Sequence, residues 1–313
     1  MIRIDSLKMK ITREAIGDDE GLLRFGYKRT LEVDDVVVDD VVYINDVGKG
    51  IKYIGYDLEK REVILEISAK INDDYKLITK ENIYDVFEKI NSVGLITFDV
   101  EKAVENSEVL KTDFCVNLMV GSVDEYLFDL SVLSLPSKIE RSTHKGSVIF
   151  REKKKTTPLR MIFYDKHNEL LKDKEMRHLA NQFKGILRYE INFKYQRLLK
   201  KYFGTTNLLK ILKSRRNIYK EVFERLTGIN QQRLPLELIY SLSELNKRDI
   251  MKFFKARGLL TTFEGVSEAK TFLVGKGFTP SYVYRMIREA REFEMRFKPK
   301  ESERIRRLLE LIS

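Results

Sequence analysis

The stretch Leu159–Leu170, "LRMIFYDKHNEL", decides how the first two thirds of the chain are read. Side chains alternate along a strand with period two, so Arg160, Ile162, Tyr164 and Lys166 share one face. Met161 and Phe163 point the other way, toward a core. A second run, "ILRYEINFKY" over Ile186–Tyr195, repeats the pattern. Leu187, Tyr189, Ile191 and Phe193 share one face, and Arg188, Glu190, Asn192 and Lys194 the other. "EVILEISAK" sets Glu66 opposite Val63, Leu65 and Ile67. "VLKTDFCVN" sets Lys111, Asp113, Cys115 and Asn117 opposite Thr112, Phe114 and Val116. Strands with one apolar and one polar face belong to antiparallel sheets packed on one side. The expected fold class is therefore α+β: a mostly antiparallel sheet with helices on one face, plus an all-α C-terminal domain.

Working outward, "MIRIDSLKMKI" and "VVVDDVVYI" read as strands, and "KGIKYIGYD" with "REVILEISAKI" as a hairpin turning at "LEK". "TKENIYDVFEKINSVG" and "SVDEYLFDLSVLSL" have helical spacing. Residues 138–166 read as two strands joined by a basic turn at Lys153–Pro158, and "KDKEMRHLANQFKG" as a helix. After "YFGTTN", Tyr202–Asn207, nearly everything is helical. The expected boundary lies near Gly204, giving domains 1–204 and 205–313.

Composition narrows the partner. The 313 residues hold a single cysteine, Cys115, which excludes an internal disulfide and a cysteine-rich zinc site. No secretory leader is visible, and no apolar run approaches the ~18 residues of a membrane span, so a cytoplasmic protein without a membrane partner is expected. Residues 1–150 carry 20 Lys and Arg against 29 Asp and Glu, a net of −9; residues 151–313 carry 38 against 19, a net of +19. Such asymmetry points to a polyanion, nucleic acid above all. Lys210, Lys213, Arg215, Arg216 and Lys220 crowd the faces opposite Leu208, Leu212, Ile218 and Val222, and are the expected helical contacts.

Glu66, Asp113 and Glu190 each stand mid-strand on a polar face. Singly, each is an ordinary carboxylate of a wet sheet. Together they are hard oxygen ligands of the kind that Mg²⁺ or Mn²⁺ takes. His144, His167 and His178 are isolated, so a metal site would rest on the carboxylates.

These motifs, in this order, resemble the rolling-circle replication initiators of plasmids and filamentous phages. "LRMIFYDKHNE" followed by "LRYEINFK" is similar to the family's aliphatic strand ending in Tyr-(Asp/Asn)-Lys and its Arg-x-Glu strand. "VLKTDFCVNL" resembles its Arg-hydrophobic-Asp strand, "VILEISAKI" its earlier glutamate strand, and "MIRIDSLKMKI" its opening Asp-containing strand. Lys111 replaces the family's frequent Arg, and Asn117 stands where some members have a second acid. The resemblance spans about residues 1–200.

It implies a nicking domain over 1–204 and a helical DNA-binding or accessory domain over 205–313. It implies Tyr164 as the nucleophile that forms a 5′-phosphotyrosine, with Glu66, Asp113 and Glu190 holding the metal. Lys166 would stabilise phosphoryl charge, while Arg160, Arg188 and Lys194 would position the DNA. Tyr189 is the rival nucleophile, although its alternation puts it with the core. The implied partners are origin DNA with a hairpin or single-stranded nick site, a host helicase and a second copy of the chain. The competing reading is a non-catalytic protein that binds origin DNA or structured RNA.

Overall fold

The computed structural model describes residues 1–33, 36–133, 135–153, 159–229, 266–296 and 303–313. The described strands form one antiparallel sheet of ten. They are β1 (Ile4–Ile11), β2 (Tyr27–Val33), β3 (Val36–Gly48), β4 (Ile51–Asp57), β5 (Glu62–Ser68), β6 (Glu108–Met119), β7 (Ile139–His144), β8 (Ser147–Glu152), β9 (Arg160–Asp165) and β10 (Ile186–Phe193). Their order across the sheet is β2-β3-β4-β5-β1-β6-β10-β9-β8-β7. Short connections explain the outer runs β2 to β5 and β7 to β9. The middle is assembled by distant segments, with β6 pairing β1 on one side and β10 on the other.

One face of the sheet is the core that alternation predicts. Phe163 stacks on Tyr189 with ring centroids 4.5 Å apart, and Phe193 meets Phe114 edge-on at 5.2 Å. Helices α1 (Glu20–Phe25), α2 (Ile83–Asn91), α3 (Val100–Asn106), α4 (Val123–Val132) and α5 (Lys166–Leu170) precede α6 (Gln196–Phe203), α7 (Leu208–Leu212) and α8 (Ile218–Thr227). The last three contribute to this core through residues including Leu199, Leu208, Ile211, Val222 and Phe223. Gly204 ends α6 in the left-handed conformation at φ 71°, which glycine adopts without steric cost. That glycine is a helix stop and no domain boundary. Phe223 packs on Phe163 at 5.9 Å, and the buried Tyr219 hydroxyl shares its one proton between the carbonyls of Arg3 and Cys115, each 3.0 Å away. The first compact unit accordingly comprises Met1–Ser131, Leu135–Gly228 and Leu309–Ser313. The second comprises Val132–Ser134 and Ile229–Leu308. Its described parts include helices Val266–Gly275 and Pro280–Arg296, with Val283 and Ile287 buried and Phe278 stacked on Tyr282.

Two other expectations change. Residues 138–166 give three strands, because Gly146 at φ 78° closes a tight turn between β7 and β8. Residues 154–158 of the expected basic turn lie outside the described residues. The helix expected over Lys172–Gly185 is absent from that described stretch. In its place, α5 (Lys166–Leu170) ends before it and a 3₁₀ turn covers Arg177–Phe183. Asp173 interrupts the path: its Oδ1 accepts from the backbone N–H groups of Glu175 at 3.0 Å and Met176 at 3.3 Å. Leu170, Met176, Leu179, Ala180 and Phe183 then bury themselves with Tyr75.

Candidate active site on the polar sheet face

The opposite face of the central strands is built in rows. Asn192 of β10 lies between Asp113 of β6 and Arg160 of β9; Glu190 lies between Cys115 and Ile162; Arg188 lies between Asn117 and Tyr164. Registered partners share a face, and every second residue returns to it. The Asn192 side-chain amide donates to Asp113 Oδ1 at 2.8 Å and to Glu190 Oε1 at 2.7 Å. Tyr164 donates its hydroxyl to the other Glu190 oxygen, Oε2, at 3.2 Å. Asp113, Glu190 and Tyr164 are therefore linked.

Burial, then the charges of Asp113 and Asp5, pushes the Glu190 carboxyl up to about 7. Burial also raises Asp113, against the opposing Asn192 bond and Lys111 charge. Burial raises Tyr164 well above the ordinary phenol range; Arg188 opposes that shift and Glu190 adds to it. A neutral phenol beside an acid that titrates near neutrality suits proton transfer as the oxygen reacts, rather than ionisation beforehand.

Glu66 does not join this group. β1 lies between β5 and β6, and its Lys8 holds Glu66 at 3.4 Å while Lys111 approaches the same carboxylate at 3.8 Å. The expected three-carboxylate set reduces to Asp113 and Glu190. Among the described residues, no group of three or more His, Cys, Asp and Glu side chains is arranged to hold a metal. Two carboxylates still fit Mg²⁺ or Mn²⁺, because Mg²⁺ is commonly held by one or two carboxylates with water and substrate phosphate completing the shell. The Asn192 amide that bridges them carries an oxygen ligand at the other end of the same group.

Lys166 and Arg188 are fully buried, which removes them from direct contact with DNA phosphate. Asp165 caps α5 through the Asn168 N–H, so Lys166 begins a helix instead of extending the strand. Its Nζ donates to the Tyr75 hydroxyl at 3.1 Å and pairs with Glu169. Burial, followed by repulsion from Arg188, holds Lys166 below its ordinary value. Arg188 donates from Nε to Asn117 Oδ1 at 2.9 Å and from Nη1 to Asp5 Oδ1 at 2.9 Å. Asp5 also accepts from Tyr75 at 3.1 Å. These residues support the floor beneath Tyr164 and Glu190.

Arg160 and Lys194 have a different setting. With Arg141, His144 and Arg151 they line a cleft of about 520 Å³. The row Arg151–Arg160–Asn192–Asp113 leads from that cleft to the carboxylates. On α7, α8 and the segment joining them, Lys210, Lys213, Arg215, Arg216 and Lys220 are exposed. Arg216 is also tied down, pairing with Glu221 at 2.6 Å, donating to the Tyr202 carbonyl and lying over the Tyr202 ring. Tyr189 is fully buried in the core and donates to the Tyr219 carbonyl at 2.9 Å, which removes it as a rival nucleophile.

No family model matches the chain, and no curated protein matches it. Among solved structures it is similar to the rolling circle replication initiator protein from Geobacillus stearothermophilus. The identity is 10%, the TM-score 0.26, and the match covers 63% of this chain and 75% of that one. Such a score does not equate two sites, so this site is read from its own geometry.

Asp5, Arg141 and Arg151 are the residues that sequence reasoning missed. Irregular β1–β6 pairing between Ile4 and Ser6 disturbs the alternation at Asp5, although the Asp-containing strand itself was visible. Arg141 and Arg151 were hidden by reading the β7–β8 hairpin as a single strand. Among the described residues, no helix is long and apolar enough to cross a membrane.

Proposed function

We propose that the chain is a DNA nicking and strand-transfer enzyme that initiates rolling-circle replication. Tyr164 Oη attacks a phosphodiester phosphorus, the bond from phosphorus to the 3′ oxygen breaks, and a 5′-phosphotyrosine forms. The phenol proton passes to Glu190, and the departing 3′ oxygen takes up a proton to become a primer hydroxyl. The observation that carries this reading is the 3.2 Å hydrogen bond from Tyr164 to Glu190. Glu190 has one oxygen on the phenol and the other on the Asn192 amide that bridges to Asp113, so the same side chain could accept a proton and help hold a divalent ion. When bound, Mg²⁺ or Mn²⁺ would polarise the scissile phosphate. Arg160 and Lys194 suit the flanking phosphates, and the exposed helical lysines and arginines add affinity of the salt-sensitive kind.

Incubation with supercoiled plasmid carrying the cognate origin and Mg²⁺ tests the reading. The expected result is a covalent protein–DNA adduct that wild type forms and Tyr164→Phe, with its ring packing intact, does not. A folded wild-type protein that nicks without an adduct, or a Tyr164→Phe variant that retains one, would overturn it. One observation favours a second reading, origin binding without cleavage: burial opposes the Tyr164 phenolate. Salt-dependent binding to origin DNA with neither nick nor adduct would select that reading.

A further inference from the structure

The polar face continues beyond the carboxylates, and its far end is aromatic. Tyr27 of β2 is paired with Tyr43 of β3, which is paired with Gly55 of β4. Tyr53, two residues before Gly55, returns to the same face and is paired with Glu66 of β5. Ring centroids are 6.2 Å apart from Tyr27 to Tyr43 and 6.2 Å from Tyr43 to Tyr53, the latter stacked at 24°. The ring of Tyr53 lies over Gly55: a methyl there would fall 2.2 Å from the Tyr53 hydroxyl oxygen. Tyr27 is 69% exposed, and Tyr43 and Tyr53 are part-exposed. Lys8 Nζ stands 5.4 Å from the Tyr53 ring centre, and Lys8 is registered with Lys111. Asp113 is the next residue on that face of β6. Three strand spacings, about 14 Å, separate the Tyr53 strand from the Asp113 strand.

We propose that this tyrosine ladder is a stacking platform for the bases of single-stranded DNA. Aromatic rings laid along a sheet accept unpaired bases of any sequence, whereas duplex bases are already stacked on each other. Lys8 and Lys111 supply positive charge between the platform and the carboxylates, and Glu66 holds both ammonium groups in place. This gives Glu66 a positioning role in DNA binding rather than a metal-binding one. The arginine cleft lies beyond the carboxylates on the other side, so a strand crossing the face would meet rings before the reacting centre and guanidinium groups after it. The choice of DNA as the nucleic acid rests on the function proposed above; the platform itself rests on the ladder.

The test is binding of the full chain to a fluorescein-labelled single-stranded oligonucleotide of mixed sequence, and to its duplex, by anisotropy in EDTA. Chelation removes any metal-dependent cleavage, so the outcome is independent of whether Tyr164 forms an adduct. Tyr27→Leu should weaken single-strand binding about tenfold, and Tyr53→Leu by a similar factor. Tyr27→Phe should restore wild-type affinity, and duplex binding should hardly change. The salt slope should stay that of wild type, since no charge is removed. Tyr27 is exposed near one end of an edge strand, so its substitution leaves the core untouched even if Tyr53→Leu fails to fold. A Tyr27→Leu protein that binds the single strand as wild type does, or loses single strand and duplex equally, would overturn the proposal.

Discussion

Lys166 and Arg188 differ from Arg160 and Lys194 in what covers them, though all four come from β9, β10 or the residue next to them. The first pair is buried against Tyr75, with Lys166 opening α5; the second pair lines a cleft. In the covered region each cation is held by neighbouring acceptors such as Asp5, Asn117, Tyr75 and Glu169. In the cleft, water competes for every contact and a polyanion can displace it. The same alternation of charge therefore contributes to folding at one end of two strands and is available for binding at the other. Polarity on a sheet face states what the face must satisfy, and the cover decides how.

The largest expected effect that tests this contrast is on stability. Arg188→Leu should cost about 3–5 kcal/mol in urea unfolding, because it strands the Asp5 carboxylate in a covered site. Arg160→Ala should stay within about 0.5 kcal/mol of wild type in the same measurement. Equal losses would erase the distinction between the two regions.

Next in size is a pH effect at the border between them. Glu190 rises from an ordinary 4.5 to about 7 on folding. Below the lower value both folded and unfolded chains hold this proton; between the two values only the folded chain does. Its stabilising contribution is therefore complete at low pH and is lost as pH rises through the folded value, about 3 kcal/mol in all. In EDTA, Glu190→Gln should flatten unfolding stability between pH 5 and 8 relative to wild type. Mn²⁺ added at pH 8 should recover stability in wild type alone. Superimposable pH profiles for the two proteins would show that the acid pair is not strained.

The smallest expected effect sharpens the cleft. Replacing Arg151, Arg160 and Lys194 together with alanine should lower the slope of log affinity against log salt by about 2 for a single strand, at roughly 0.7 per phosphate contact. The urea midpoint should hold. An unchanged slope would place the phosphate path elsewhere.

Much of the fold was legible because period-two alternation in β5, β6, β9 and β10 separates a core face from a polar one without any knowledge of pairing. Asp113, Glu190 and Tyr164 followed from that alternation and from the motif order. Strand order was not legible. Nothing local in "VILEISAK" says that β1 will stand between it and β6, so Glu66 fell outside the group it was expected to join. Cover was equally hidden: Lys166 and Arg188 look like wet-face cations until a segment more than 80 residues from each in sequence, around Tyr75, folds over them. The boundary at Gly204 failed for a related reason. A left-handed glycine ends a helix whether or not the next helix returns to the same core, and Tyr219 and Phe223 do return.

If the tyrosine ladder stacks bases as proposed, Gly55 would give the molecule a means of changing its preference for nucleic acid without changing a residue that touches it. Alanine there would collide with the free end of the Tyr53 ring, not with backbone, so the ring moves and the sheet persists. The ladder would be broken from beneath. Variation at this buried position would then appear in a family of such chains as a shift between single-stranded and duplex partners, with melting temperature as a poor guide to it.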